Sequence, residues 1–336
     1  MIQHNKPTLG IEEESAALRV LRSGWLAQGY EVESFENEFC KFVGLPNGHA
    51  VAVSSCTAAL FLALWVLGAK DKKVVFPGYV CSALRHAVSM VGGIERLIDT
   101  VQQSPNLDIN KINQKDDNIA IIPHLYGIPV DFTRLQNTNV IEDCAQSLGA
   151  KINKIHVGLH GKIGVYSFYA TKLMTSGGQG GMFVSKDKLL VDSVRDYREF
   201  DYRLDNKKRF NFQMTDLQAA IGREQLKKLP HFLTRREEIF KRYKKAGLDL
   251  LDTKSNDIHL DPVRYRAVMI SDKPEKIIDI LSKVGVKAII PTEDWELLGE
   301  KNILINSLQL SRKTVSLPIY PTLSDESIDI ILSAIT

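Results

Sequence analysis

A lysine that precedes a glycine-rich loop is the first feature of the sequence that could carry chemistry. Lys172 follows a short apolar segment, residues 165–168, and the loop at residues 176–181 comes soon after it. Glycine backbone lets a ligand approach closely. A lysine whose pKa is lowered by burial or by a nearby cation can form a Schiff base with a carbonyl compound. A solvated surface lysine is the alternative interpretation.

Two carboxylates follow another short apolar segment. Glu142 and Asp143 come directly after Val140 and Ile141. A buried carboxylate is costly to desolvate, so it should meet a cation or a hydrogen-bond donor. The residues alone leave four partners open: a metal ion, a buried arginine, the nitrogen of a pyridinium ring, or a purely structural ion pair.

Small and hydroxyl-bearing residues mark the start of an apolar helix predicted over residues 57–68. The stretch Ser54-Ser55-Cys56-Thr57-Ala58 joins this helix to a short extended segment at residues 49–53. Free N–H groups and the helix dipole at such a position favour phosphate. An ordinary helix cap would explain the same residues.

The three features together are more specific than any one of them. In open α/β sheets, ligands lie beyond the carboxyl ends of the strands, which is where all three features are predicted to fall. Pyridoxal phosphate requires a lysine for its aldehyde, a carboxylate for its ring nitrogen, and an anion site for its phosphate. The sequence therefore predicts a site for this cofactor.

Composition and charge are those of an ordinary globular chain. Of the 336 residues, 44% are apolar and 25% charged, close to the average, and the length suggests two domains. The net charge of +3 gives no electrostatic reason to expect nucleic acid or an anionic membrane as partner. The longest apolar run, residues 58–69, is shorter than the ~20 residues of a membrane span.

The cysteines and the first residues bear on the compartment. The chain begins without the pattern of a signal peptide, and its cysteines form no CxxC pair, which indicates reduced thiols. They are Cys40, Cys56, Cys81 and Cys144. We therefore expect a cytoplasmic protein. No metal site is predicted, because glycines next to the pair His156 and His160 oppose the helix that would align the two rings.

Periodicity predicts an α/β fold. Helices are predicted over residues 10–22, with Ile11, Leu18 and Leu21 on one side, and over residues 31–43. Short β-branched segments predict buried strands of a mostly parallel sheet; they are residues 74–76, 119–122, 140–141 and 165–168. Two helices, 216–229 and 234–246, should be separated by Pro230. Residues 1–246 would form a large domain with helices flanking its sheet.

The pattern changes after residue 247. A strand at residues 263–270, a helix at 273–284, a strand at 286–290 and a final helix from Ser324 are predicted. We interpret residues 247–336 as a small C-terminal α/β domain.

Several long stretches then point to a known family. They are SGWLAQGYEVESFENEF, SSCTAAL, IIPHLYGIPVDF, VIEDCAQSLGA, SFYATK, FNFQMTDLQAAIGREQL and VSLPIYPTLSDE. From about residue 24 to residue 327 the chain resembles the DegT/DnrJ/StrS family of pyridoxal-phosphate-dependent sugar aminotransferases. The resemblance implies the fold type I architecture of such transferases, with residues 1–30 near the active site.

The resemblance also implies roles for single residues. Lys172 matches the lysine that forms the Schiff base with the cofactor, and Asp143 matches the carboxylate at the pyridine nitrogen. Gln146 matches a residue packed near the ring or its O3′. The phosphate contacts are matched by residues at the predicted helix start and strand end, namely Cys56, Thr57, the N–H of Ala58, and Ser167.

Two further implied positions concern the ring and the partner subunit. The family usually places an aromatic residue on the ring at the position held here by Cys81, with Tyr79 two residues earlier. Either residue could be the neighbour of the ring. Asn211 matches an asparagine that reaches the cofactor phosphate of the other subunit, which implies a homodimer with shared active sites.

By resemblance, the reaction is a ping-pong transamination. An amino donor, L-glutamate, would convert the cofactor to pyridoxamine phosphate, and a nucleotide-linked keto sugar would then take the nitrogen. Three alternatives stay open: a sugar dehydratase, an aminotransferase for a non-sugar carbonyl, and a non-catalytic relative. Dehydratases of this fold carry histidine in place of Lys172, and a non-catalytic relative should have lost Lys172, Asp143 or Ser167.

Overall fold

A computed structural model describes residues 1–116, 118–136, 138–253 and 259–336. The strands in these ranges are β1 Ala50–Val53, β2 Lys73–Pro77, β3 Ile94–Ile98, β4 Ile119–Pro123, β5 Asn139–Asp143, β6 Lys151–Ile152, β7 Ile155–His156, β8 Ile163–Ser167, β9 Gly181–Val184, β10 Leu260–Asp261, β11 Ala267–Ile270 and β12 Thr314–Leu317. The α-helices are α1 Ile11–Ser23, α2 Tyr30–Val43, α3 Cys56–Val66, α4 Ala83–Val91, α5 Lys188–Arg198, α6 Asp216–Lys245, α7 Pro274–Lys283, α8 Ile305–Lys313 and α9 Asp325–Ile335.

Seven strands form the central sheet in the order β1-β9-β8-β5-β4-β2-β3. Strand β9 is antiparallel to both of its neighbours, whereas β8, β5, β4, β2 and β3 pair in parallel. Strands β1 and β8 therefore run in the same direction, and the carboxyl ends of β1, β4, β5 and β8 share one edge. The predicted α/β architecture with a mostly parallel central sheet is confirmed.

Burial of the strands on both faces explains their composition. Every residue of β1, β4, β8 and β9 is buried, as expected where helices cover a sheet on both sides. Helix α3 is apolar all round and buried from Ala58 to Leu64. No helix in the described ranges is long and apolar enough to cross a membrane.

The prediction of two helices separated by Pro230 is wrong, because α6 is one helix of 30 residues that runs through the proline. A proline inside a helix removes one backbone hydrogen bond and costs about 3 kcal/mol. Pro230 lies on the exposed side of α6. Leu229 and Phe232, which flank it, are buried. Packing on both sides of the proline therefore outweighs the local cost.

Helix α6 contributes to two hydrophobic cores. Leu226 and Leu229 belong to a core on one face of the central sheet. Ile239, Phe240 and Tyr243 belong to a second core, formed with β11, β12, α7 and α9. The boundary between residues 246 and 247 stays a prediction.

Two of the strands predicted near the C-terminus differ in the structure. Only Ala267–Ile270 of the predicted segment 263–270 is a strand. The residues before it bond to a turn instead: Val263 N donates to Gly127 O at 3.0 Å, and Tyr265 N donates to Tyr126 O at 3.2 Å. Residues 286–290 make isolated bridges, from Val286 to Ile2 and from Ile289 to Ser316, and form no strand.

Candidate active site

The shared carboxyl edge of the sheet carries a cavity of about 360 Å³, hereafter the first cavity. Residues after β1, β4, β5 and β8 line it, as parallel strands require. Seven of the residues singled out in the sequence are among them: Cys56, Thr57, Cys81, Asp143, Gln146, Ser167 and Lys172.

Lys172 lies half-buried in the turn that follows β8. Its backbone N–H donates to Tyr169 O at 2.9 Å, and its Nζ lies 5.2 Å from the ring centroid of Tyr265. Burial pushes the pKa of Tyr265 upward, but the charges of Lys172, Arg266 and Arg236 outweigh it and hold this pKa below its usual value. The Lys172 amine is therefore held beside a phenol, on the wall of the cavity.

Asp143 ends β5 and is 6% exposed. Its Oδ1 accepts the N–H of Ala145 at 2.9 Å, and no cation pairs with it among the described residues. Burial raises its pKa, although the Ala145 N–H and the charge of Lys172 act in the opposite direction. Of the four possible partners of Asp143, a buried arginine is therefore excluded among the described residues. The carboxylate lines the cavity, where a cationic ring nitrogen would stabilise its charge.

Glu142, one residue earlier, is fully satisfied by the protein. Its Oε1 accepts the N–H groups of His160 and Gly161, both at 2.7 Å, and its Oε2 lies 3.0 Å from His124 Nε2. Because His124 Nδ1 accepts the N–H of Val130 at 2.9 Å, the proton of that ring is on Nε2 and is donated to Glu142. The possible ligand atoms of His124, Glu142 and Cys144 lie within 4.8 Å of one another, but His124 and Glu142 already use these atoms in hydrogen bonds within the protein.

The start of α3 also lines the first cavity. Ser55 caps the helix, since its Oγ accepts the N–H of Ala58 at 3.1 Å. Thr57 and Cys56 line the cavity together with Ser167 from β8. Ala58 is buried and its N–H is already used by Ser55, so its contact with phosphate stays a prediction. A helix start with two hydroxyl groups beside it is suited to bind an anion, and phosphate binding here stays a prediction.

The two candidate neighbours of the ring occupy different places. Cys81 is exposed and lines the first cavity. Tyr79 is 1% exposed, and its hydroxyl lies 2.7 Å from that of Tyr126; it lines an adjoining cavity. Asn211 is exposed, and its Oδ1 accepts the N–H of Gln213 at 3.0 Å. It lines neither cavity of its own chain.

The adjoining cavity, hereafter the second cavity, has a volume of about 450 Å³. Val80, Cys81, Leu125, Gln146 and Lys172 line both cavities. Its other walls carry aromatic, hydroxyl and charged groups, among them Tyr79, Tyr126, Tyr265, Arg85, Arg266, Thr292, Trp295 and Glu296.

Sequence reasoning did not single out Tyr126, Tyr265 or Arg266. The sequence does contain one signal, the glycine at position 127. A Cβ atom on this residue would lie 2.0 Å from Val263 O, so only glycine allows the backbone at residue 127 to approach the backbone at Val263. Tyr126 has a φ of 59°, in the left-handed region that few side chains adopt. This tight turn aligns Tyr265 and Arg266 with the second cavity.

Residues near the N-terminus reach the same region. Asn5 Nδ2 donates to Thr171 O at 2.7 Å, next to Lys172. His4 Nε2 lies 2.8 Å from Ser316 Oγ in β12. Residues 2–5 therefore connect the C-terminal elements to the turn that carries the lysine.

The mostly parallel sheet, with Lys172 and Asp143 on one cavity at its carboxyl edge, is the arrangement of a pyridoxal-phosphate-dependent enzyme of fold type I. The fit of the cofactor rests on Asp143, which is buried and pairs with no cation in the described part of the chain, and on the cavity that Asp143 and Lys172 both line. The chain belongs to the DegT/DnrJ/EryC1/StrS aminotransferase family, whose family model matches residues 7–336. It is an aminotransferase, and its cofactor is pyridoxal phosphate.

Named relatives agree with this assignment. The chain is 29% identical to the spore coat polysaccharide biosynthesis protein SpsC of Bacillus subtilis, with 99% of this chain and 96% of the relative covered. It is 27% identical to the GDP-perosamine synthase of Escherichia coli O157:H7, with 98% and 96% covered. The crystal structure of the aminotransferase TlmJ from Streptoalloteichus hindustanus superposes with a TM-score of 0.90 at 25% identity, covering 100% of this chain and 98% of that one.

Proposed function

We propose that this aminotransferase transfers the amino group of L-glutamate to the carbonyl carbon of a nucleotide-linked keto sugar. The observation that carries the proposal is the second cavity, which is polar and meets the first cavity at Lys172. A substrate held there presents its reacting carbon to the lysine while the rest of the molecule extends away from the cofactor.

The walls of the second cavity suit a sugar nucleotide. Trp295 is 80% exposed and offers an aromatic face on which a sugar or a base can stack. Tyr79, Tyr126 and Thr292 supply hydroxyl groups for sugar oxygens. The guanidinium groups of Arg85 and Arg266 are donors of the kind that bind carboxylate and phosphate.

The relatives support a sugar as substrate. One of them is a GDP-perosamine synthase, and another is a spore coat polysaccharide biosynthesis protein. Each covers almost the whole of this chain. We infer the same substrate class here.

The residues divide the work of transamination between them. Pyridoxal phosphate, when bound, supplies an aldehyde that takes up the donor nitrogen and a ring that accepts electrons. Lys172 lines both cavities, so its amine is placed to move a proton at the substrate carbon that loses or gains nitrogen. Asp143 would keep a proton on the ring nitrogen of the bound cofactor, and Ser167, Thr57 and the start of α3 would hold its phosphate. The two half-reactions follow a ping-pong order.

We further propose a homodimer with shared active sites. Ile11, Leu18 and Leu21, predicted on one side of α1, are 68%, 43% and 53% exposed, while Ala16 and Val20 on the other side are buried. Apolar side chains that line up on an exposed face are typical of a surface covered by a partner. Asn211 is exposed and lies outside the cavities of its own chain, which suits a contact with the partner's cofactor.

Mixing variants tests the shared site. Lys172→Ala and Asn211→Ala homodimers are each expected to be impaired, and hybrids formed after mixing should regain activity because one of their two sites is intact. Leu18→Glu combined with Leu21→Glu should give a monomer in analytical ultracentrifugation. Hybrids that stay inactive, or a wild-type protein that is monomeric, would contradict the shared site.

We also propose a cytoplasmic location. The four cysteines are free thiols, and two of them, Cys40 and Cys144, are buried. Such thiols suit a reducing compartment. Fractionation of cells that express the full-length protein would test this.

The proposed reaction is tested one half at a time. Adding L-glutamate to the cofactor-loaded enzyme should remove its visible absorption band and release one 2-oxoglutarate per site. A nucleotide-linked keto sugar should then restore the band and give an amino sugar, identified by mass spectrometry. The Lys172→Ala variant is the control and should do neither. If the absorption band responds only to another amino acid, that amino acid is the donor and L-glutamate is not. If the enzyme aminates only simple ketones, the proposal of a sugar substrate is refuted.

A further inference from the structure

Arg266 differs from the other arginine of the second cavity, because no carboxylate among the described residues pairs with it. Arg85 binds Glu95 with two hydrogen bonds, at 2.8 and 2.9 Å. The hydrogen bonds that Arg266 makes with described residues go from its Nη1 to His4 Nε2 at 3.3 Å and to Ser316 Oγ at 3.4 Å. Its Nε is buried without any hydrogen-bond partner there. Arg266 lines the second cavity, and a guanidinium beside a cavity without a carboxylate partner among the described residues is suited to bind an anion.

The surroundings of Arg266 add positive charge and supply little that could neutralise it. Arg236 is buried, and the hydrogen bonds that it makes with described residues go to the carbonyl oxygens of Arg264, Tyr265 and Ile319. Burial, together with the charges of Arg266 and Lys287, lowers the pKa of His4 to about 3, so this ring is neutral. Among the described residues that line the second cavity, Glu296 brings a carboxylate, and that group accepts the N–H of Glu293 at 2.8 Å.

The position of Arg266 relative to Lys172 suits a small substrate. Arg266 Cζ lies 5.5 Å from the ring centroid of Tyr265, and Lys172 Nζ lies 5.2 Å from the same centroid. The two charged groups are therefore separated by no more than the sum of these distances. In an amino acid whose carboxylate pairs with a guanidinium, the amine lies roughly 6 to 9 Å from the guanidinium carbon. An amino acid can therefore reach Lys172 while it is bound to Arg266.

We propose that Arg266 binds a carboxylate of the amino-acid donor and thereby places the donor's amine beside Lys172. This inference rests on the proposed transamination from an amino acid, and it is independent of the identity of the keto sugar. Arg266 is, in this proposal, a specificity-determining residue for the first half-reaction. It selects an amine that carries a carboxylate.

The test compares donors with and without a carboxylate on the cofactor-loaded enzyme. Arg266→Gln should lower the second-order rate constant for loss of the absorption band with L-glutamate by at least about 30-fold, the range for truncating one partner of a buried charge pair. The slow reaction with a carboxylate-free amine, sec-butylamine, should change by less than about threefold. Arg266→Lys should recover part of the loss with L-glutamate, because the charge returns without the paired donors.

Binding measured without turnover gives a second readout. Glutarate, a dicarboxylate without an amine, should bind the wild-type enzyme in calorimetry and bind Arg266→Gln at least about 10-fold more weakly. Arg312→Gln is the matched control, since Arg312 is an exposed arginine that pairs with Asp294. Circular dichroism and thermal melting establish that Arg266→Gln is folded, and Arg266→Lys serves if it is not.

The outcomes separate this proposal from the proposed function. If Arg266→Gln keeps both its glutarate affinity and its rate with L-glutamate, the proposal is overturned. If the variant keeps glutarate affinity but loses affinity for a nucleoside diphosphate, the anion bound by Arg266 is the diphosphate and the carboxylate assignment is wrong. If the wild-type enzyme does not react with L-glutamate, the donor assigned in the proposed function is wrong. The comparison with sec-butylamine then uses the amino acid that does react, and it still tests the role of Arg266.

Discussion

Replacing Asp143 by asparagine separates the chemical role of this carboxylate from its place in the fold. Asparagine has nearly the same shape, and its oxygen can still accept the N–H of Ala145, which Asp143 now binds at 2.9 Å. The change removes a charge that is 6% exposed and has no cation partner among the described residues. Without the cofactor, that charge is destabilising, because burial raises its pKa.

Two effects of opposite sign should follow. The apoenzyme should be at least as stable as wild type at neutral pH, since a group whose pKa is raised on folding destabilises the folded state above that pKa. The cofactor-loaded variant should react with L-glutamate about 30- to 5000-fold more slowly, because losing one partner of a buried charge pair costs about 2 to 5 kcal/mol. Solvent screens this loss little, since the group is buried.

The assay is single-turnover loss of the visible absorption band, with thermal unfolding of the apoenzyme and of the cofactor-loaded enzyme measured in parallel. Asp143→Glu is the control that retains charge but shifts its position. A rate within fivefold of wild type for Asp143→Asn would refute the assignment of Asp143 to the ring nitrogen. An apoenzyme that melts well below wild type would show that Asp143 is mainly structural.

Three further predictions follow from the same structure. Lys172→Ala should abolish transamination but still bind pyridoxamine phosphate, which equilibrium dialysis measures; full turnover by this variant would remove Lys172 from the mechanism. Cys81→Phe should tighten binding of pyridoxal phosphate by about 2- to 10-fold through about 0.5 to 1.5 kcal/mol of ring stacking, as measured by titration of the apoenzyme; unchanged affinity would mean that Cys81 does not face the ring. Pro230→Ala should stabilise the protein by about 1 to 3 kcal/mol, because it restores a backbone hydrogen bond in the middle of α6; a lower denaturation midpoint in urea would show that the proline is compensated elsewhere.

The first cavity could be predicted from the sequence because a parallel sheet fixes where its strand ends lie. Asp143 and Ser167 lie at the ends of short buried strands and Thr57 follows one, and strands that run in the same direction bring such positions to one edge. The partners of the individual side chains could not be predicted from the sequence in the same way. A buried arginine beside Asp143 could be excluded only with the structure, in which no cation among the described residues pairs with Asp143.

The second cavity could not be predicted, because its walls depend on contacts between distant parts of the chain. Tyr265 is aligned by a backbone hydrogen bond to Tyr126, which lies far away in sequence, and no local periodicity reports such a contact. Strand β3 was missed for a different reason: its first two residues are exposed and one of them is Glu95, so it lacks the apolar run of a buried strand. At Pro230 the rule that proline ends a helix failed, because the packing of the residues that flank it in α6 stabilises the helix by more than the proline costs.

Helix α6 also decides how this enzyme could be recombined with its relatives. Its first half packs in the core that contains Leu226, and its last turns supply Ile239, Phe240 and Tyr243 to the core of the C-terminal elements. A chimera joined just after Lys245 would pair those three side chains with a foreign partner and create cavities or clashes there. A crossover placed near the exposed Pro230 would move the last turns together with the elements they contact. When C-terminal segments are exchanged between relatives to alter substrate choice, the exchanged segment should therefore start inside α6.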